Sequence, residues 1–273
     1  MAGFITPPAE LDAALKALVT KDFLSLKDAY SLAERFGLSL FAIEQRALEI
    51  KIFPHRYIRN RHTFDANTQL RLMLSHVLLV GCGGIGGFVA QFLAQTGVGK
   101  ITLYDADHFE ESNLNRQNFC SIDTLGSPKV EICANRLLEI NPAMQAVSNI
   151  KMLKKTDLTK LQSIDILIET SDDPQSKREL SKACQSLKID FLHTALAGES
   201  FLLSLNTVLD TYYVDSERGA EVWTGNLATT ASAVAAVASS QIVRLLTGKN
   251  SPLHEGMFMV DLATLESSMI PFP

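Results

Sequence analysis

Residues 77–87 read VLLVGCGGIGG, and that stretch decides the fold. Four apolar residues without a polar break describe a strand buried on both faces. Gly81-Cys82-Gly83-Gly84-Ile85-Gly86 follows at once and fits GxGxxG at the start of a helix. Gly81, Gly83, Gly84 and Gly86 allow a tight turn in which backbone N–H groups approach phosphate oxygens, helped by the helix N-terminus. The open question is which phosphate: a dinucleotide pyrophosphate, or an ATP about to be cleaved.

Outward from this loop the chain alternates short apolar strands with helices. Strands are predicted at 77–80, 100–104, 146–150, 164–169, 191–193, 201–207 and 257–262, and helices at 85–95, 128–140 and 175–187. Such alternation predicts an α/β fold, a Rossmann-like, doubly wound, mostly parallel sheet covered on both faces. Ligands of these sheets lie beyond the carboxyl ends of the strands, so the chemistry is sought there.

The second strand ends at Asp105, nineteen residues after Gly86, where a carboxylate can hold ribose hydroxyls. With the glycine loop alone, this fits a nicotinamide dinucleotide at least as well as ATP. The loop that follows, DADHFEESNLNRQNF, then GSPKVE, changes the balance by adding Arg116 and Lys129 near strand ends. Ser127-Pro128-Lys129 reads as a helix start with Ser as cap, Pro at the first position and Lys at the second. A lysine there opposes the helix dipole, which an anion would offset. A triphosphate losing pyrophosphate develops charge that calls for such cations. The strand at 164–169 runs into ETSDDP; either aspartate could cap the next helix, and the preferred reading has Asp172 as a Mg²⁺ ligand beside phosphates and Asp173 as the cap.

The composition sets outer bounds. The chain has 273 residues, 47% hydrophobic, with a net charge of −5, which gives no electrostatic ground for expecting nucleic acid or an anionic membrane as partner. The start, MAGFITPPAE, lacks the basic and apolar regions of a signal peptide, so a cytoplasmic protein is expected. Residues 227–246 are rich in Ala, Ser and Thr and carry Gln241 and Arg244; they read as a helix packed on the sheet, not a membrane span. Cys82, Cys120, Cys133 and Cys184 form no CxxC pair and read as free thiols.

Residues 1–52 differ from the rest and read as a small helical module, with residues 53–273 as the main domain. Ala33, Gly37 and Ile43 stand at helix-turn-helix spacing. The second helix of that pair, SLFAIEQRALE, carries one arginine and two glutamates, a poor match to phosphates. Docking of a protein or peptide, or packing on the main domain, is the preferred reading. The linker FPHRYIRNRHTF, with Arg56, Arg59, Arg61, His55 and His62, is dense in basic groups and reads either as solvated or as anion-binding.

Taken in order, RYIRN, GCGGIG, DADHFEESNLNRQ, GSPKV and TSDDP resemble the ThiF/MoeB/HesA family, bacterial relatives of ubiquitin-activating enzymes, from about Arg56 onward. The resemblance implies an adenylyltransferase that uses ATP and Mg²⁺ to activate the C-terminal carboxylate of a small ubiquitin-like carrier ending in Gly-Gly. It implies a nucleotide loop at Gly81, Gly83, Gly84 and Gly86, and Asp105 on the ribose. Asn113, Arg116 and Gln117 would face the phosphates, Lys129 would be the catalytic lysine, and Asp172 would be the Mg²⁺-side aspartate. Arg59 resembles an arginine that family dimers insert into the partner's site, which implies a homodimer. Many members carry two zinc-binding CxxC pairs and some a cysteine in the crossover loop; neither is present here, so zinc and a thioester step are not expected. Two alternatives stay open: adenylation of a ribosomal peptide in natural-product biosynthesis, and a non-catalytic carrier-docking scaffold.

Overall fold

The computed structural model describes residues 9–19, 23–161, 163–207, 209 and 224–272. Most of the crossover segment at 209–226 therefore lies outside the described residues. Three short helices open the chain: α1 (Ala9–Leu18), α2 (Leu26–Phe36) and α3 (Leu40–Glu49). Ser25 and Ser39 cap α2 and α3 by accepting hydrogen bonds from the Asp28 and Ala42 amides. Gly37 ends α2 in the left-handed region, at φ 63°. Leu11, Leu15, Leu32, Ile43 and Leu48 form their core, which continues through Ile52 to Ala66, Met73 and Ala143. Strand β1 (Phe23–Leu24), between α1 and α2, pairs in parallel with β2 (Phe53–Pro54) and ties the middle of the module to its exit.

Helix α4 (Ala66–Leu74), which the sequence pattern did not reveal, leads into the main sheet. The elements then follow as β3 (His76–Val80), α5 (Gly84–Thr96), β4 (Lys100–Tyr104), α6 (Lys129–Ile140), β5 (Gln145–Asn149), α7 (Lys155–Leu158), β6 (Ile166–Glu169), α8 (Pro174–Leu187), β7 (Asp190–Ala197), β8 (Ser200–Leu205), α9 (Ala228–Leu246), β9 (Gly256–Asp261) and β10 (Glu266–Pro271). The sheet order is β10-β9-β8-β7-β6-β3-β4-β5. The strands from β5 to β7 run parallel, and β8, β9 and β10 are antiparallel. The expected sheet is therefore present, with an antiparallel extension. β7 is longer than predicted because it continues past the parallel core to pair with β8. β10 went unpredicted because every residue of it is exposed and gives no burial period.

Alternation along β3 sends side chains into two cores. Val77 and Leu79 join Val89 and Leu93 of α5, Leu137 of α6, and Val234 and Ile242 of α9. Leu78 and Val80 join Leu167, Leu180 of α8 and Phe191 on the opposite face. Helix α9 is long and apolar enough by composition to cross a membrane, but here Ala231, Val234, Ala235 and Ala238 are buried, and it packs on α5 and the sheet. Its small residues let the two helices approach closely. The chain leaves β3 toward β4 and β5, then returns to β6 on the other side. The carboxyl ends of β3 and β6 thus flank the switch point of the sheet, where a crevice opens.

Candidate active site

A cavity of about 460 Å³ lies beyond these strand ends. Gly81, Gly83, Gly84, Asp105, Asp107, Arg116, Gln117, Lys129, Asp172 and Lys177 contribute to its wall. Five different loops and helix starts converge there, which no single segment of sequence reveals.

The glycines divide into two kinds. Gly81 adopts φ +87°, and a Cβ on it would lie 2.9 Å from the Ser171 amide nitrogen and the Thr170 hydroxyl. A Cβ on Gly86 would lie 1.9 Å from the Gly81 carbonyl oxygen. These two are required by the fold itself. Gly83 and Gly84 have ordinary clearance, 3.5 Å to Gln117 and to Arg116. Neither a positive φ nor a close contact among the described residues demands glycine there, so the bare backbone they present to the cavity is the feature to explain.

Asp105 accepts hydrogen bonds from the Cys82 amide at 2.7 Å and the Asp107 amide at 2.8 Å. It thereby fastens the glycine loop to the end of β4. Burial raises its carboxyl above the ordinary value of 3.8, and the two amides pull it back. Lys129 is buried, and its ammonium meets the exposed carboxylate of Asp107 at 3.0 Å. The helix begins one residue later than the sequence predicts. Pro128 is extended at ψ 128° and occupies the cap position, so Lys129 is the first helical residue. Ser127 does not cap; its carbonyl accepts the Phe109 amide, while the Lys129 amide donates to the Asp107 carbonyl. This short antiparallel contact, His108 opposite Pro128, is what aligns the two loops.

Arg116 is half-buried and donates to the Ser112 carbonyl at 2.9 Å and Asn115 Oδ1 at 2.8 Å. Gln117 is buried, and its Oε1 has no hydrogen-bond partner among the described residues. Asn113 departs from expectation: it does not line the cavity. Its Oδ1 accepts the Glu110 amide, and its carbonyl accepts the amides of Arg116 and Gln117, so it shapes the turn from beneath.

Asp173 is the N-cap of α8, accepting from the amides of Gln175 and Ser176. Asp172 is exposed on the cavity wall, with no hydrogen bond or ion pair to the described residues. That is the state of a carboxylate open to a ligand. Mg²⁺ takes hard oxygen ligands, keeps several waters and commonly uses one or two carboxylates with substrate phosphates. Asp172 fits that partial set. Among the described residues, no group of three or more His, Cys, Asp or Glu side chains forms a complete metal cage.

Arg59 is exposed and lies outside this chain's cavity. The basic linker is not one anion site. Arg56 is committed to an ion pair with the buried Glu44, since a carboxylate taken out of water needs a paired cation. His55 stacks on Phe23, with ring centroids 4.4 Å apart.

Residues 57–272 match the ThiF family. The chain belongs to that family. It is similar to the molybdopterin-synthase adenylyltransferase of Escherichia coli (strain K12), 29% identical over 212 residues, which span 74% of this chain and 85% of that one. It is also similar to the tRNA threonylcarbamoyladenosine dehydratase of Bacillus subtilis (strain 168), 35% identical over 134 residues, 48% of this chain and 52% of that one. Among solved structures, E. coli MccB with AMPCPP and MccA aligns at a TM-score of 0.69 and 20% identity, covering 89% of this chain and 82% of that one. At that identity the likeness speaks for the fold.

Several residues around the cavity of this ThiF-family chain were not singled out by its motifs. Asp107 stands two residues past Asp105 and was legible as a second carboxylate in DAD. Thr170 donates its hydroxyl to the Val80 and Gly81 carbonyls and so joins β6 to the glycine loop. Lys177 pairs with the buried Glu169 at 2.8 Å and donates to the Thr194 carbonyl at 3.0 Å. Glu169 in turn accepts from the Ser171 amide and hydroxyl, which fixes the turn carrying Asp172. His193 lies buried on the same wall, and burial together with the Lys177 charge drives its pKa well below 6.5. No sequence signal marks Glu169, Lys177 or His193, because their significance is a contact between β6, α8 and β7.

Proposed function

We propose that this protein is an adenylyltransferase: it binds ATP and Mg²⁺ and joins the C-terminal carboxylate of a small ubiquitin-like carrier protein to AMP, releasing pyrophosphate. The observation that carries the reading is the gathering of Arg116 and Lys129 with the glycine loop, Asp105 and Asp172 around one cavity. A dinucleotide needs the loop and Asp105 but has no use for a pair of cations at its reacting end.

In this reading the amides of residues 83–86 hold phosphate oxygens, and Asp105 takes the ribose while keeping the loop in place. The carrier carboxylate attacks the α-phosphorus, and the bond from that phosphorus to the bridging oxygen of the pyrophosphate breaks. Repulsion between carboxylate and triphosphate is the main obstacle, and cations remove it. Lys129 exchanges Asp107 for a phosphate oxygen, and Arg116 stabilises charge on the departing pyrophosphate. Asp172 would hold Mg²⁺, which supplies further neutralisation of the phosphates. No general base is required, since a carboxylate is ionised at pH 7. Arg59 completes the site from a second copy of the chain in a cytoplasmic homodimer.

The identity of the acceptor is the finer part of the proposal. A peptide carboxylate is the second reading, supported by the fold-level likeness to MccB, whose structure contains MccA. A silent scaffold is disfavoured because it would not need Arg116, Lys129 and Asp172 on one wall. ATP–pyrophosphate exchange, measured with small co-encoded proteins ending in Gly-Gly and with short peptides, tests the reading. Exchange that depends on one acceptor supports it. No exchange with any acceptor, together with wild-type ATP affinity in Lys129→Ala, would overturn it.

A further inference from the structure

The ion pair between Glu44 and Arg56 does more than join two segments. Glu44 belongs to α3 of the N-terminal module and is 1% exposed. Arg56 donates to both of its carboxylate oxygens and also to Asn141 Oδ1 at 2.9 Å. Asn141 is the C-cap of α6, buried, with its amide on the Leu137 carbonyl and its side chain 3.4 Å from the Ala94 carbonyl at the end of α5. The other end of α6 is Lys129. A helix of this length is about 18 Å of rigid rod, so its C-cap fixes where its first residue sits. Arg56 also stands three residues before Arg59. Asn60, just beyond, is anchored by its side chain to Gln69 at 3.1 Å and to the Thr96 carbonyl at 3.3 Å.

We infer that Glu44, Arg56 and Asn141 form a positioning network through which the helical module sets the location of Lys129, by way of α6, and of Arg59, by way of the 56–60 turn. The inference rests on the adenylation reading and assigns the module a place in it. These three residues touch no substrate; they act through Lys129 and Arg59. A protein or peptide seated on the module would then reach the chemistry through a chain of contacts. An apolar joint alone would not need a carboxylate, a guanidinium and an amide buried together, because desolvating them costs more than a hydrophobic contact of the same size.

Hydrogen exchange of the full chain, with and without ATP·Mg²⁺, tests this in wild type, Asn141→Ala and Glu44→Gln. Asn141→Ala leaves the Glu44–Arg56 pair intact, and Glu44→Gln keeps the side-chain volume, so one serves if the other fails to fold. In wild type, ATP is expected to slow exchange at 82–88 and at 126–133. In both variants the protection at 82–88 should persist, while that at 126–133 is lost and the ATP Kd rises by roughly threefold to tenfold. Full ATP protection at 126–133 in the variants, with only α3 exchanging faster, would reduce the network to a joint and overturn the inference. Absence of any ATP protection in wild type would instead remove the adenylation reading, and the inference with it.

Discussion

The ammonium of Lys129 lies 3.0 Å from the carboxylate of Asp107, and the two are unequally buried: the lysine side chain is 9% exposed and the aspartate 69%. A cation is thus held inside the cavity by an anion at its rim. Exposed carboxylates are readily exchanged for a better-charged partner, because water already competes for them. The pair holds Lys129 in place without binding it strongly, which is what the proposed role on a phosphate requires.

Lys129→Ala should therefore lower ATP–pyrophosphate exchange by roughly 10²–10³, the scale of losing one preorganised donor to a developing anion. Thermal stability should hardly change, since the partner left behind is exposed to water. Exchange assays and a melting curve check both halves. Near-normal exchange would remove Lys129 from the chemistry.

The two kinds of glycine should respond differently to alanine. Gly81→Ala is expected to cost about 1–3 kcal/mol, through its positive φ and the contact with Thr170 and Ser171. Gly84→Ala should fold normally, since its Cβ would sit at ordinary distance from Arg116, but should weaken ATP binding by occupying the cavity side of the loop. Denaturant titration and calorimetry separate the outcomes. Equal effects of both substitutions would contradict the division.

His193 is buried as the neutral imidazole, with a pKa pushed well below 6.5 by burial and then by Lys177. The unfolded chain binds a proton near 6.5 that the folded chain refuses, so stability is full above that value and is lost as pH falls below it. The urea midpoint should drop between pH 7.5 and pH 5.5, and His193→Gln should flatten that slope. An unchanged slope in the variant would show that other groups govern acid stability.

Arg59 is exposed and away from its own cavity, as a residue acting on a second copy has to be. Arg59→Ala and Lys129→Ala should each be inactive alone. Mixed in equal amounts and allowed to exchange subunits, they should recover roughly a quarter of wild-type activity, because the mixed dimer has one intact site. Failure to complement in a mixture shown to contain mixed dimers would place Arg59 outside the active site.

Removing Lys177 would strand the carboxylate of Glu169 in the core. Lys177→Met is thus expected to destabilise the protein by about 3–5 kcal/mol. The double variant Lys177→Met, Glu169→Gln should recover much of this, because no unpaired charge remains. A denaturant series on the three proteins reads the coupling, and full additivity would show that the pair is not the source.

The sequence by itself determined the parallel part of the sheet and its glycine loop. Residues 77–80 are buried on both faces, so their apolar run is continuous, and a GxGxxG directly after such a run reads as a turn into a helix. The motifs DADHFEESNLNRQ, GSPKV and TSDDP are likewise local, and so they point to Asp105, Arg116, Lys129 and Asp172 from the sequence alone. What only the tertiary structure decided is where side chains meet across elements. Asn113 lies beneath its loop because its oxygen is needed by the Glu110 amide, and Arg56 is taken by Glu44 because a buried carboxylate needs a cation. Lys177, Glu169 and His193 come together only when α8 packs over β6 and β7. Spacing along a chain records which backbone a residue can adopt; it does not record which charge is buried next to it, and that is what assigns Arg56 to the joint and leaves Arg59 exposed.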